Sequence, residues 1–404
     1  YAKMFLTLWN VHRFYSDYAS LDNFDPEDKD SFVNIKERSY LDKWILSRMT
    51  TVAENYHENF VSWDFHKAGR ELENFVINDL SNWYVRRSRR RLWNEDQSND
   101  KRSCQHTLHE VLLTVCRLMA PVSPFIPDQI HRDLTGHSVH LADWPVGSNL
   151  VERTLPPQNW VLEQEMALVR KLAETGRRVR VEAGRRQRLP CKSGWIVGGP
   201  DISEFHEILA EELNVESLTT EEDLDRFQKI EIAPNRKSLG KKCRQDLPAV
   251  LELLENADPD NILLEIEAEI CILEGYDITM EDIEIKRVEK ENFAAATISI
   301  EEIGDVSLVL DMSLNEELIS KGLARDIIRH VQAKRKEINL DVEALIELNV
   351  WIEPNELLFD NDWSHIQIET RAGNAGINQG DIPEEIGYFE VDGIEVNFSV
   401  KEIN

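Results

Sequence analysis

The stretch DLSNWYVRRSRRRLWN, residues 79–94, sets five arginines into six consecutive positions and brackets them with Trp83, Tyr84 and Trp93. At about 100° per residue, Leu72, Val76 and Trp83 fall near one line of a helix, with Phe75 on its flank. Asp79, Arg90 and, close by, Arg86 continue that line. A guanidinium on an apolar stripe needs a carboxylate or an external anion. The spacing therefore assigns Asp79, Arg86, Arg90 and Trp83 to a partly buried ion-pair network inside a bundle. Arg87 and Arg91 fall further round beside Tyr84, and Arg89 points away. Bidentate donors suit phosphates and flat rings suit unstacked bases, so Tyr84, Arg87, Arg89 and Arg91 are candidate RNA contacts. A solvated face is the competing reading.

Around this stretch, apolar spacing is helical almost throughout residues 1–134. Ser62 or Asp64 in SWDFHKAG offers a helix cap, and Pro121, Pro124 and Pro127 mark a stop followed by a restart. A further helix is expected over about 162–182. Beyond Leu189 short apolar runs (GWIVGG, QKIEIAP, LLEIEAEICIL) alternate with amphipathic helices near 203–213, 245–256 and 314–337, an α+β pattern. The expected organisation is multidomain: an all-α helical bundle over 1–150, a junction helix over 151–190, an α+β domain over 191–310 and a second α+β unit over 311–404. A basic helix leading into a short apolar strand occurs twice, at RRVRVEAGRRQRLPCKSGWIV and RHVQAKRKEINLDVEALIELNVWI, which raises a duplication.

A length of 404 residues calls for two or three cores. No apolar run approaches the roughly 18 residues of a membrane span, so a soluble, cytoplasmic chain without membrane contact is expected. The five cysteines, at 104, 116, 191, 243 and 271, are odd in number and form no C-x-x-C pair, which argues against disulfides and structural zinc. The net charge of −29 is unevenly placed: residues 1–190 hold 27 Lys+Arg and 26 Asp+Glu, and 191–404 hold 19 and 49. A polyanion can approach the first half without a general penalty.

Two further cationic clusters stand out. In KIEIAPNRKSLGKKCRQ, Lys229, Arg236, Lys237, Lys241, Lys242 and Arg244 gather around a turn of Pro234, Asn235 and Gly240 within the acidic half. Asn235, Lys237, Lys241 and Lys242 are the candidate site there, against a solvated loop. On the junction helix, Arg177, Arg178 and Arg185, with Arg180, Arg186 and Arg188, could line a phosphate backbone or bridge two domains. None of the eleven histidines sits in H-E-x-x-H or other metal-like spacing, and no G-x-x-x-x-G-K or G-x-G-x-x-G loop occurs. His57, His66, His106, His109 and His131 read as packing or surface residues. The chain reads as a binder, with no catalytic residues and no cofactor or metal of its own.

DLSNWYVRRSRRRLW, preceded by YLDKWILSRM and FHKAGRELENFV and followed by LMAPVSPFIPDQIHRDL and SVHLADWP, resembles the anticodon-binding domain of class I aminoacyl-tRNA synthetases, specifically the isoleucyl family. LVRKLAETGRRVRVEAGRRQRLP is similar to that family's post-bundle junction helix. APNRKSLGKK resembles its K-P-N-x-x-x-L-G-x-K loop, with Ala233 where lysine is usual and Arg236 where an aromatic is common. LVLDMSLNEELISKGLARDIIRHVQAKRKEINLDVEALI resembles the carboxy-terminal region of the archaeal and eukaryotic-type enzymes. No HIGH-type or KMSKS-type motif and no editing-like segment occurs. The resemblance implies a carboxy-terminal half that binds isoleucine tRNA, joined as a monomer to catalytic and editing domains of the same polypeptide, where ATP and Mg act. Valyl or leucyl counterparts, or a free-standing RNA-binding module, are the alternatives.

Overall fold

A computed structural model of the chain describes residues 2–28, 32–93, 96–146, 155–267, 272–273, 275–301, 303–341, 344–378 and 386–403. They form two compact units, Tyr1–Leu168 and Val169–Asn404. The expected boundary at 150 and Cys271 lie outside the described residues.

The first unit is helical. Helix α1 spans Ala2–Leu21, α2 Tyr40–Val61 and α3 Phe65–Asn74. From α3 the chain runs on through a π-helical stretch, Phe75–Val85, into α4, Arg86–Trp93. Then come α5, Asn99–Met119, α6, Phe125–Thr135, and α7, Trp160–Glu182, within which the unit boundary falls. Ser39 and Ser98 cap α2 and α5 by accepting hydrogen bonds from the backbone N–H of Asp42 and Lys101. Gly136, at φ 75°, ends α6 in the left-handed conformation that favours glycine. Tyr15 on α1 meets His109 on α5, and Asp22 just beyond α1 meets Lys101 and Gln105 near the start of α5. Helices α1 and α5 are therefore antiparallel. One end of the bundle gathers the end of α1, the start of α2, the end of α4 and the start of α5. Leu8, Ile45, Met49, Leu80, Leu108 and Leu112 form its dry interior.

The second unit continues from α7 through β1, Cys191–Val197, α8, His206–Leu213, and β2, Val215–Glu221. Then follow β3, Gln228–Pro234, α9, Arg236–Cys243, α10, Leu247–Asn256, α11, Pro259–Glu267, β4, Ile272–Leu273, β5, Tyr276–Asp277, and β6, Ile283–Glu289. The LLEIEAEICIL run, expected as a strand, instead closes α11 before the short β4. Strands β7, Phe293–Ile300, and β8, Gly304–Asp311, complete a sheet of order β2-β1-β8-β7, with β1 parallel to β2 and antiparallel to β8. The chain then passes through α12, Glu316–Glu337, β9, Ile346–Ile352, α13, Asp360–Thr370, β10, Ala372–Ile377, β11, Gly387–Val391, and β12, Ile394–Glu402. Their sheet has order β10-β9-β12-β11, with β9 parallel to β10 and antiparallel to β12.

The two sheets thus share one connectivity: helix, strand, helix, parallel strand, hairpin. They also share a lock. Arg180 on α7 donates to the carbonyls of Arg186, Leu189 and Asn214, which lie six, nine and 34 residues on. Arg335 on α12 donates to those of Asp341, Ala344 and Thr370, six, nine and 35 residues on. Both guanidiniums are buried, and burial lowers both pKa values. Each fastens a helix to the two parallel strands beside it. The first sheet carries the β3–β6 segment between its parallel strand and its hairpin, with a core of its own that includes Leu239, Val250, Leu254, Ile262 and Ile283.

Candidate nucleic-acid interface

The arginine helix faces differ from those expected at 100° per residue. In the π-helical stretch hydrogen bonds reach one residue further, so the helix turns less per residue and later side chains lag. Arg91 turns inward as a result. It grips Asp42 of α2 with two hydrogen bonds, Nη1 to Oδ1 at 2.8 Å and Nη2 to Oδ2 at 2.7 Å, and also binds Asp100 at 2.8 Å. Asp42 is fully buried, the Arg91 side chain is only 15% exposed, and Tyr84 Oη donates to Asp42 Oδ1 at 2.5 Å. Burial and the neighbouring Asp42 charge push the Tyr84 phenol well above its ordinary value. Burial also works against the Arg91 cation, but hydrogen bonds to Asp42 raise its pKa regardless. Cys104, buried beside them, is pushed up to about 11. Tyr84 and Arg91, expected as RNA contacts, are therefore internal struts.

The reverse correction applies to Arg86 and Arg90, which are exposed. Asp79 is buried and pairs with Arg48 of α2 at 3.1 Å, in a group that includes Glu71 and Glu163. Nothing in the sequence singles out Arg48, one arginine in an apolar helical run. Trp83 is buried, with the guanidiniums of Arg86 and Arg87 at 5.9 and 5.8 Å from its ring. Arg89 is exposed and Arg87 half-buried. Helix α4 therefore presents Arg86, Arg87, Arg89 and Arg90 outward, with half-exposed Trp93 at its end. Arg89 and Arg90 form no hydrogen bond or ion pair among the described residues. A row of cations on one rigid helix, held from within by Arg91, can accept a phosphate backbone.

In the second unit the candidate cations separate in the same way. Arg185 is buried and donates to the carbonyls of Met312 and Ser313, which removes it from any external contact. Arg177 pairs with Glu212 at 3.2 Å, and Arg178 is exposed, 3.9 Å from Glu182 one turn away. Asn235 caps α9 by accepting from the backbone N–H of Lys237 and Ser238, and it donates to the Glu281 carbonyl. Lys242 pairs at 2.9 Å with buried Asp282, which also accepts from Ser238 and Thr279. Burial opposes the Asp282 charge, but these partners pull its pKa down to about 2. Asn235 and Lys242 thus build the turn, which displays the exposed side chains of Lys237 and Lys241.

Residues 42–193, which include the arginine helix, match the family described as the anticodon-binding domain of tRNA ligase. The chain is 33% identical over 351 residues to an isoleucine–tRNA ligase of Bacillus thuringiensis, covering 85% of this chain and 32% of that protein. It is 32% identical over 356 residues to the isoleucine–tRNA ligase of Methanocaldococcus jannaschii, covering 86% and 32%, and 31% identical over 414 residues to that of Clostridium novyi, covering 99% and 38%. By these likenesses the chain is similar, over most of its length, to part of the isoleucine–tRNA ligases of bacteria and an archaeon. It spans about a third of the length of the curated relatives it matches. Bacterial and archaeal relatives both appear among them, so the likeness does not single out an archaeal type.

Proposed function

We propose that this chain recognises the anticodon region of isoleucine tRNA, as the carboxy-terminal part of a cytoplasmic isoleucine–tRNA ligase. The observation that carries this reading is the two-sided arginine helix, lying within the matched domain. Arg91 anchors it to Asp42, and Arg86, Arg87, Arg89 and Arg90 are left facing outward. In the second unit, Lys237, Lys241 and Arg178 are exposed cations of the candidate set and supply further phosphate contacts. Attachment of isoleucine with ATP and Mg, and removal of mischarged product, belong to catalytic and editing domains of the same monomeric polypeptide. The motifs such chemistry requires are missing from this sequence. The described residues contain no helix long and apolar enough to cross a membrane.

The chain alone is expected to bind isoleucine tRNA in preference to unrelated tRNAs, with an affinity that falls as salt rises. Filter binding with a panel of transcripts measures this. Equal affinity for all of them would remove the anticodon reading.

A further inference from the structure

The helical unit holds a cavity of about 860 Å³ where the segment before α7 crosses the start of α2. Its walls are mainly apolar, with Ile35, Leu155, Pro156, Pro157 and Val161 among them, and the indole of Trp160 stands at its edge, 59% exposed. Among the described residues, the charged side chains lining it are Lys36 and Lys43. In a chain of net charge −29, a cavity lined by two lysines and no described carboxylate selects an anionic ligand. Flat apolar walls and an exposed indole select a ring.

The cavity is also pre-formed. Ser47 Oγ accepts from the backbone N–H of Asn159 at 2.7 Å and donates to Glu163 at 2.6 Å, and Thr50 Oγ1 donates to the Pro156 carbonyl at 2.8 Å. These bonds fasten the 155–160 segment to α2 on two successive turns. Lys43 follows directly on Asp42, the residue that Arg91 grips, so one wall of the cavity lies on the turn of α2 that α4 also touches. Its volume lies within the roughly 300–1,000 Å³ typical of small-molecule sites.

We propose that this cavity receives one unstacked nucleotide of the bound tRNA loop, its base against Trp160 and its phosphate between Lys36 and Lys43. The proposal rests on the tRNA reading above and adds a base-capturing site to the phosphate-binding face of α4. Base–aromatic stacking of this kind is sequence-tolerant and disappears on truncation of the ring.

The test uses the whole chain, an isoleucine tRNA transcript, and a set of transcripts each lacking the base at one anticodon-loop position. Trp160→Ala is expected to weaken binding of the intact transcript about tenfold, and Trp160→Phe by no more than about threefold. Against the one transcript lacking the captured base, Trp160→Ala and the parent bind equally. If Trp160→Ala binds the intact transcript like the parent while Arg89→Ala/Arg90→Ala loses affinity, the cavity proposal is overturned and the tRNA reading stands. A Trp160→Ala deficit that persists against every base-lacking transcript also overturns it, because the deficit then does not come from a base. If neither variant weakens binding, both readings fall. Thermal unfolding of each variant confirms that the exposed Trp160 can be replaced without loss of the fold.

Discussion

Arg91→Ala is expected to destabilise the helical unit by about 3–5 kcal/mol, the usual loss when one member of a buried ion pair is removed. Asp42 is fully buried and would keep only Tyr84 Oη as a side-chain partner, while Arg91 also ties the end of α4 to Asp100 at the start of α5. For a unit of this size the melting temperature should drop by roughly 6–20 °C. Arg91→Lys should recover only part of this, because an ammonium cannot make the two parallel bonds to Asp42. Arg86→Ala and Arg90→Ala should stay within about 0.5 kcal/mol of the parent, as expected of exposed positions. Thermal unfolding of the four variants decides the matter. An Arg91→Ala chain that melts like the parent would show that the grip on Asp42 does not hold the bundle end.

The second large effect is expected in the other unit, at the paired carbonyl locks. Arg180→Ala would leave the carbonyls of Leu189 and Asn214 without its guanidinium, and Arg335→Ala would do the same for Ala344 and Thr370. Unsatisfied buried polar groups cost about 1–3 kcal/mol each; the Asn214 carbonyl still accepts from the Cys191 N–H, so Arg180→Ala should lose about 1–3 kcal/mol and Arg335→Ala, which orphans two carbonyls, about 2–6 kcal/mol. Because each lock closes its own sheet, the damage should be local. Hydrogen exchange should accelerate in β1, β2 and β8 for Arg180→Ala, and in β9, β10 and β12 for Arg335→Ala. Equal loss of protection in both sheets from either variant would contradict two separately locked sheets.

The places where sequence reasoning stops have physical causes. The bundle helices are legible because apolar residues recur at helical spacing, and QKIEIAP is legible as a strand because it alternates. The face of the arginine helix is not. The π-helical stretch Phe75–Val85 has no local signature in the spacing, and by turning less per residue it exchanges the expected roles of Arg90 and Arg91. Arg185 and Arg180 read as a phosphate-facing or domain-bridging stretch because their partners are backbone carbonyls, which leave no mark in a charge pattern. Arg335, with the same kind of partners, is equally silent in the sequence. Asp42 gives one weak sign, a carboxylate within the apolar run YLDKWIL, and its partner lies 49 residues away. Lys36, Lys43 and Trp160 carry no motif; only folding brings α2 and the 155–160 segment together. The LLEIEAEICIL run shows the usual ambiguity of short apolar segments, which fit a buried helix as well as a strand.

The central claim is that α4 has two faces, one bracing the fold through Arg91 and one meeting RNA through Arg86, Arg87, Arg89 and Arg90. The most direct test is a salt series of isoleucine-tRNA affinities for the parent and for Arg89→Ala/Arg90→Ala, with melting temperatures measured alongside. The double variant should melt like the parent and bind more weakly. Its slope of log affinity against log salt should flatten by roughly 0.7–0.9 for each phosphate that is no longer neutralised. Unchanged affinity and an unchanged slope would contradict the claim and leave the arginine helix a structural element only.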